Sequence, residues 1–190
     1  MRIKTSLFCL GAALTALLLM VDATVGAGRA PAKDGLNAQA HRNDLSIRIT
    51  GVIGPGTYHR FMDELRRKQP SVVMVDGPGG RVLEAMMIGT EIRRRGISTV
   101  LPGNHSCASA CALIYLSGAK RYIGPQASIG LHSAANHGRD DESGTTMMAR
   151  YLSGMGVPSA IVKKMAATPS SGIRWLTAAE QRTLGLQRQN

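Results

Sequence analysis

An all-apolar run, Val72-Val73-Met74-Val75, empties directly into Asp76-Gly77-Pro78-Gly79-Gly80. A short uninterrupted apolar run is the signature of a strand buried on both faces, as strands of a parallel sheet are. The glycines behind it let the backbone take dihedrals and close approaches that a side chain forbids. Helical periodicity takes over on either side. Tyr58, Phe61, Met62 and Leu65 recur at helical spacing until Pro70 stops the run, and Val82, Ala85, Met86, Gly89 and Ile92 mark one face of a helix ending at Gly96. Leu45-Ser46-Ile47-Arg48-Ile49 alternates as a half-exposed strand does, the glycines between 51 and 56 read as a turn, and Ser98-Thr99-Val100-Leu101 is a third strand. Strand, helix, strand, helix, strand in succession predicts a single α/β domain: a mostly parallel sheet of repeated strand-helix units with flanking helices.

The next stretch concentrates the chemistry. Cys107-Ala108-Ser109-Ala110-Cys111 opens directly into the apolar run Leu113-Ile114-Tyr115-Leu116, and Gly124-Pro125 reverses the chain into Ala127-Ser128-Ile129-Gly130-Leu131-His132. A glycine turn, a serine at the mouth of a helix and a histidine at a strand end are the parts of an acyl-transfer site. Residues 133–144 are polar and read as a surface loop. Met147, Met148, Tyr151, Leu152 and Met155 fit an amphipathic helix, either a core-facing stripe or a Met-rich contact surface. Pro158 suits the start of a helix over 159–167, and Thr177 with Glu180 forms a capping box for a last helix.

Taken in order, Gly77-Pro78-Gly79-Gly80, the Ala108-Ser109-Ala110 turn, Gly118-Ala119-Lys120, Ile129-Gly130-Leu131-His132, and Leu176-Thr177-Ala178-Ala179-Glu180 with Gly185-Leu186 resemble the proteolytic subunit of the Clp protease, within the Clp/crotonase superfamily. The resemblance runs from about residue 45 to 186. It implies a Clp/crotonase-like fold and a serine hydrolase working without a metal or organic cofactor. It further implies Ser109 as nucleophile, His132 as general base, and the N–H groups of Gly80 and Ala110 as the oxyanion hole. In the Clp subunit an aspartate just before the closing helix orients the histidine. The corresponding stretch here, 168–174, holds no carboxylate, which leaves a Ser109–His132 dyad with Ser171 (or Ser170) as candidate orienter. Asp140, Asp141 and Glu142 are carboxylates at a different point of the chain.

Each assignment has a plainer competitor. A serine at a helix start is most often an N-cap, a glycine pair after a strand is most often a turn, and a lone histidine at a strand end is most often structural or exposed. His105 lies closer to Ser109 in sequence and competes as base, and a Ser–Lys dyad is a less attractive alternative given a histidine in place. Cys107 and Cys111 flank the serine at a spacing that lets a disulfide form in an oxidising compartment, with two buried thiols as the alternative. A metal held by His105 and both cysteines would need a fourth ligand and unusual spacing.

At 190 residues the chain supports one domain with a real core. Residues 1–27 read as a secretory signal peptide: Arg2 and Lys4 give a positive start, an apolar core follows, and Val25-Gly26-Ala27 supplies a small-x-small cleavage site. An uncleaved inner-membrane anchor is the alternative, and 28–44 reads as a flexible tether before the domain at 45–190. The expected location is therefore periplasmic or secreted. The formal net charge of +11 favours anionic surroundings, including an anionic membrane surface. Nucleic acid is disfavoured, because aromatic residues are 4% and offer no stacking platform. The expected partner is a peptide or unfolded protein segment, cleaved without ATP, with a homo-oligomer also compatible. Two rival classes remain: a non-catalytic binding protein on a degenerate fold, and a crotonase-like acyl-thioester enzyme.

Overall fold

The computed structural model describes residues 45–189. The signal-peptide and tether readings fall outside these residues. The expected strand-helix units are all present. Strand β1 (Ser46–Ile53) leads to helix α1 (Thr57–Lys68), β2 (Val72–Gly80), α2 (Val82–Arg94), β3 (Ser98–Leu101), β4 (Ser106–Ala108) and α3 (Ala110–Leu116). Then come β5 (Arg121–Ile123), β6 (Ser128–Leu131), the pair β7 (Ala135–Asn136) and β8 (Arg139–Asp140), α4 (Glu142–Gly154), α5 (Ser159–Ala167), β9 (Arg174–Trp175), α6 (Ala178–Thr183) and β10 (Gln187–Arg188).

Strand β2 is the axis of the main sheet. Its first half pairs in parallel with β3, which carries β5 and β10 outward. Its second half pairs with β4 at Gly77↔Cys107, and β4 carries β6 and then β9. Strand β1 runs along the other edge for the whole length, from Ser46↔Val72 to Ile53↔Gly80. Only the β6–β9 contact is antiparallel within this sheet.

The glycine segment corrects one expectation. Residues 77–80 continue β2 as paired strand, and of 51–56 the first three continue β1 while 54–56 form the expected turn. Glycine is what permits this. A Cβ at Gly77 would sit 2.4 Å from the Gly51 carbonyl oxygen, and one at Gly80 would sit 2.3 Å from that of Ile53. Any side chain would push the two strands apart.

Helix α3 is buried along its whole length and packs between α2 and the sheet. Its apolar sequence therefore reads as a core helix rather than an amphipathic one. Thr99 Oγ1 donates to the Tyr115 carbonyl at 2.7 Å, and burial raises the Tyr115 phenol pKa far above its ordinary value. In α4 the methionine stripe divides. Met148 and Leu152 are core, while Met147 is only half-buried. The Tyr151 hydroxyl meets Ser117 Oγ at 2.6 Å, and burial pushes the phenol up to about 12. The polar stretch after His132 is not an open loop. It closes as the β7–β8 hairpin, whose turn uses His137 at φ 49 and Gly138 at φ 76. The capping box of Thr177 and Glu180 forms on α6 as the sequence predicts.

Candidate active site

The carboxyl ends of β2, β4 and β6 bring the sequence-derived residues to one place. Register aligns Ala108 with Gly130, and the Ser109 amide donates to the Gly130 carbonyl at 2.9 Å. His132 leaves β6 two residues later. Ser109 stands at φ 55 and ψ −125, a region that residues with a side chain seldom occupy, and it is 8% exposed. Its hydroxyl makes no capping bond to α3, although it occupies the N-cap position. The usual reason for a serine there is therefore missing.

Gly79 presses against this turn. A Cβ at that position would lie 2.7 Å from the Ala110 amide nitrogen, 2.7 Å from the Ala108 carbonyl oxygen and 2.8 Å from Ser109 Cβ. In a parallel ladder successive N–H groups point to alternate edges of a strand. Arg81 N–H bonds the Ile53 carbonyl at 2.8 Å on the β1 side. The Gly80 N–H, one residue earlier, accordingly points to the opposite edge, where β4 and the Ser109 turn lie. The Ala110 amide begins α3 and has no intrahelical acceptor.

Cys107 and Cys111 are joined as a disulfide with a Cα–Cα separation of 5.2 Å, and both residues are buried. The bond links the end of β4 to the first turn of α3 and so brackets Ser109. With both sulfurs consumed, the alternative of a metal held by His105 and the two cysteines loses its thiolate ligands. His105 is itself engaged, its Nδ1 lying 2.9 Å from Asp76 Oδ2 at the opposite end of β4 from Ser109.

His132 is half-buried, and its Nδ1 bonds the Ser133 carbonyl oxygen at 2.6 Å. A carbonyl can only accept, so Nδ1 is the donor in this contact. The Ser109 hydroxyl and the imidazole are not hydrogen-bonded to each other in this structure, a contact that commonly tightens only when substrate is bound. Ser171 is exposed, and its side chain makes no bond to the ring, because the backbone of Ser133 has taken Nδ1. The expected orienter is thus replaced by a main-chain group, which no residue pattern announces. The β6–β9 pairing stops at Leu131↔Arg174, Ser133 N–H then turns to the Thr168 carbonyl at 2.8 Å, and residues 168–174 hold no carboxylate.

Asp140 reaches the site from the hairpin. Its Oδ1 accepts from Ser170 N–H at 2.7 Å and from the Ser133 hydroxyl at 3.2 Å. Bonds from Ser170 hold its carboxyl below the ordinary aspartate pKa, with smaller contributions from Ser133 and the His132 charge. A cleft of about 450 Å³ lies beside Ser133 and Asp140, walled by Thr145 and Pro169. Of the four described lysines, Lys68 and Lys164 pair with Glu64 and Glu180, Lys120 follows the far end of α3, and Lys163 is exposed on α5. None stands at the Ser109 turn.

No protein-family model matches the chain, and neither does any curated protein. Solved structures do. A serine-to-alanine mutant of the 1510-N membrane-bound stomatin-specific protease superposes with a TM-score of 0.56 at 20% identity, over 75% of this chain and 77% of that one. A lysine-to-alanine mutant of the same protease, in complex with a substrate peptide, gives 0.56 at 21% identity over 75% and 73%. The fold is of the Clp/crotonase type. The mostly parallel sheet, with flanking helices, is the architecture expected of the strand-helix repeats.

Proposed function

We propose that this chain is a serine hydrolase cleaving peptide bonds through Ser109 and His132, without metal or organic cofactor. One observation carries the reading: Ser109 is held at φ 55 at the head of a buried helix while leaving its hydroxyl uncommitted to capping. Strained backbone persists only where its surroundings impose it, and such positions cluster at reactive sites. The fold shared with a protease in complex with a substrate peptide supports a peptide as substrate.

In this reading, Ser109 Oγ attacks the scissile carbonyl while His132 Nε2 takes its proton. The developing oxyanion accepts hydrogen bonds from the Gly80 and Ala110 amides, each contributing about 2.7–4 kcal/mol of transition-state stabilisation. The imidazolium then protonates the departing amine, and water repeats the sequence on the acyl-enzyme. A closer kinship to the Clp proteolytic subunit rests on the glycine, serine and histidine motifs themselves. Against a Ser–Lys dyad, none of the lysines among the described residues is positioned at the Ser109 turn.

The leader-like segment at 1–27 supports export, and with it ATP-independent action in the periplasm or outside the cell. The net charge of +11 supports work near anionic surfaces. Among the described residues no helix is long and apolar enough to cross a membrane. One observation favours a second reading, that of a non-catalytic binding protein: Nδ1 of His132 meets a neutral carbonyl where a triad would place a carboxylate.

A fluorophosphonate probe on the purified chain decides between them. Covalent labelling of wild type that disappears in Ser109→Ala supports the hydrolase. Folded wild type that takes no label supports the binding protein, as would an acyl-thioester enzyme that needs only the two amides. Labelling that survives Ser109→Ala places the nucleophile elsewhere.

A further inference from the structure

We infer that Asp140 and Ser133 together form the positioning unit for His132, replacing an acid on the β9 side with one delivered by the β7–β8 hairpin. The inference deepens the hydrolase reading and takes from it the role of His132 as base.

The connections form a continuous chain. His132 Nδ1–H donates to the Ser133 carbonyl at 2.6 Å, which fixes the ring plane and the tautomer. The Ser133 carbonyl is held through its neighbours: Ala134 N–H, in the same peptide unit, donates to Thr145 Oγ1 at 2.9 Å, Ser133 N–H donates to the Thr168 carbonyl at 2.8 Å, and the Ser133 hydroxyl donates to Asp140 Oδ1 at 3.2 Å. Asp140 in turn takes the Ser170 N–H at 2.7 Å, so one carboxylate oxygen clamps the segment after β6 to the segment after α5. The hairpin supplies the last tie. Asp141 N–H donates to the Ala134 carbonyl at 2.8 Å, holding Asp140 beside Ser133.

Each link has a chemical reason. A backbone carbonyl accepts but cannot donate, so it selects the Nδ1–H tautomer as a carboxylate does, through a weaker, uncharged bond. What it lacks is negative charge to stabilise the imidazolium once the serine proton arrives. Asp140 places that charge one residue away. Residues 168–174, on the β9 side, hold no carboxylate that could do so. Asp140 touches neither ring nitrogen and acts through Ser133. It is a positioning residue.

The test reads the ring itself. In the full chain labelled with ¹⁵N-histidine, ring shifts assigned by difference from His132→Ala report the tautomer, and probe labelling runs in parallel. Wild type should show Nδ1 protonated and Nε2 bare at neutral pH. Asp140→Ala should move His132 toward the Nε2–H form that a free imidazole prefers, and slow labelling by about tenfold or more, the direction taken by wrong-tautomer substitutions in serine proteases. Asp140→Asn keeps an acceptor oxygen and should restore most of the wild-type tautomer. Ser133→Ala removes only the hydroxyl link and should shift the tautomer the same way as Asp140→Ala. A His132 tautomer unchanged in both Asp140→Ala and Ser133→Ala overturns the inference, whatever the labelling rate. A tautomer that responds in a protein that takes no label leaves the positioning unit standing and removes the hydrolase.

Discussion

The amide of Ser109 donates to the carbonyl of Gly130 at 2.9 Å, which fastens the serine turn to the strand that ends in His132. Two residues 21 positions apart in a 190-residue chain are thereby locked at neighbouring strand ends. The same bond continues the β4–β6 ladder past Ala108↔Gly130, so Ser109 and His132 are coupled through these two strands.

Gly79 should tolerate no side chain. A Cβ there would meet the Ala108 oxygen and the Ala110 nitrogen at 2.7 Å, with φ already at 103. Both obstacles are backbone, so Gly79→Ala should cost at least about 2 kcal/mol and abolish probe labelling. Gly130→Ala is the contrast. Its Cβ would meet Ile173 Cγ2 at 2.6 Å and Trp175 Cζ3 at 2.9 Å. These are half-exposed side chains that can swing outward, so the loss should be no more than about 1 kcal/mol. Denaturant midpoints of the two variants check the ordering.

The Cys107–Cys111 bond should leave a Cys9→Ser chain, oxidised and denatured, with no titratable thiol until reductant is added. The closed loop is short, so the unfolded-state entropy it removes amounts to only about 2 kcal/mol. Cys107→Ser with Cys111→Ser should therefore lower stability modestly while reducing Ser109 labelling more than stability alone accounts for. Two thiols in the unreduced Cys9→Ser protein would remove the staple from the account.

A carboxylate near His132 should help. Ile173→Asp places one just before β9, beside the strand end that carries His132, and should raise the labelling rate severalfold, toward what a full triad achieves. Ser171→Asp and Ser171→Ala should each leave the rate within about twofold, because that side chain is exposed and makes no bond to the ring. A Ser171 substitution with a larger effect than Ile173→Asp would reverse the placement.

Acid should weaken the C-terminal helix through Glu180. Hydrogen bonds from Lys164, Thr177 N–H and the Thr177 hydroxyl hold its pKa down to about 2 from 4.5. A depressed carboxyl stabilises the folded state fully above about pH 4.5, and that contribution drains away as pH falls toward 2. Melting temperatures measured from pH 5 to pH 2 should fall more steeply in wild type than in Glu180→Gln. Parallel curves for the two proteins would contradict this origin.

Export is tested by mass. If residues 1–27 are a cleaved leader, intact protein from the cell envelope should begin near Gly28. A full-length soluble chain in the cytosol would contradict it.

Local pattern was enough for part of this protein. The apolar run 72–75, the helical faces from Phe61 and Ala85, the serine between a short strand and an apolar helix, and the Thr177–Glu180 box are all written in near-neighbour spacing, because helix and strand periodicities are properties of the adjacent chain. What the spacing could not carry was decided between segments distant in sequence. Gly77 and Gly80 continue a strand rather than turn, because β1 lies against them. Ser109 takes a positive φ because Gly79 and Gly130 close on it from two other strands. Nδ1 of His132 finds a main-chain oxygen, and Asp140 arrives on a hairpin that polar composition alone reads as a loop. A backbone carbonyl has no letter in the sequence, and only tertiary packing decides which one an imidazole will meet.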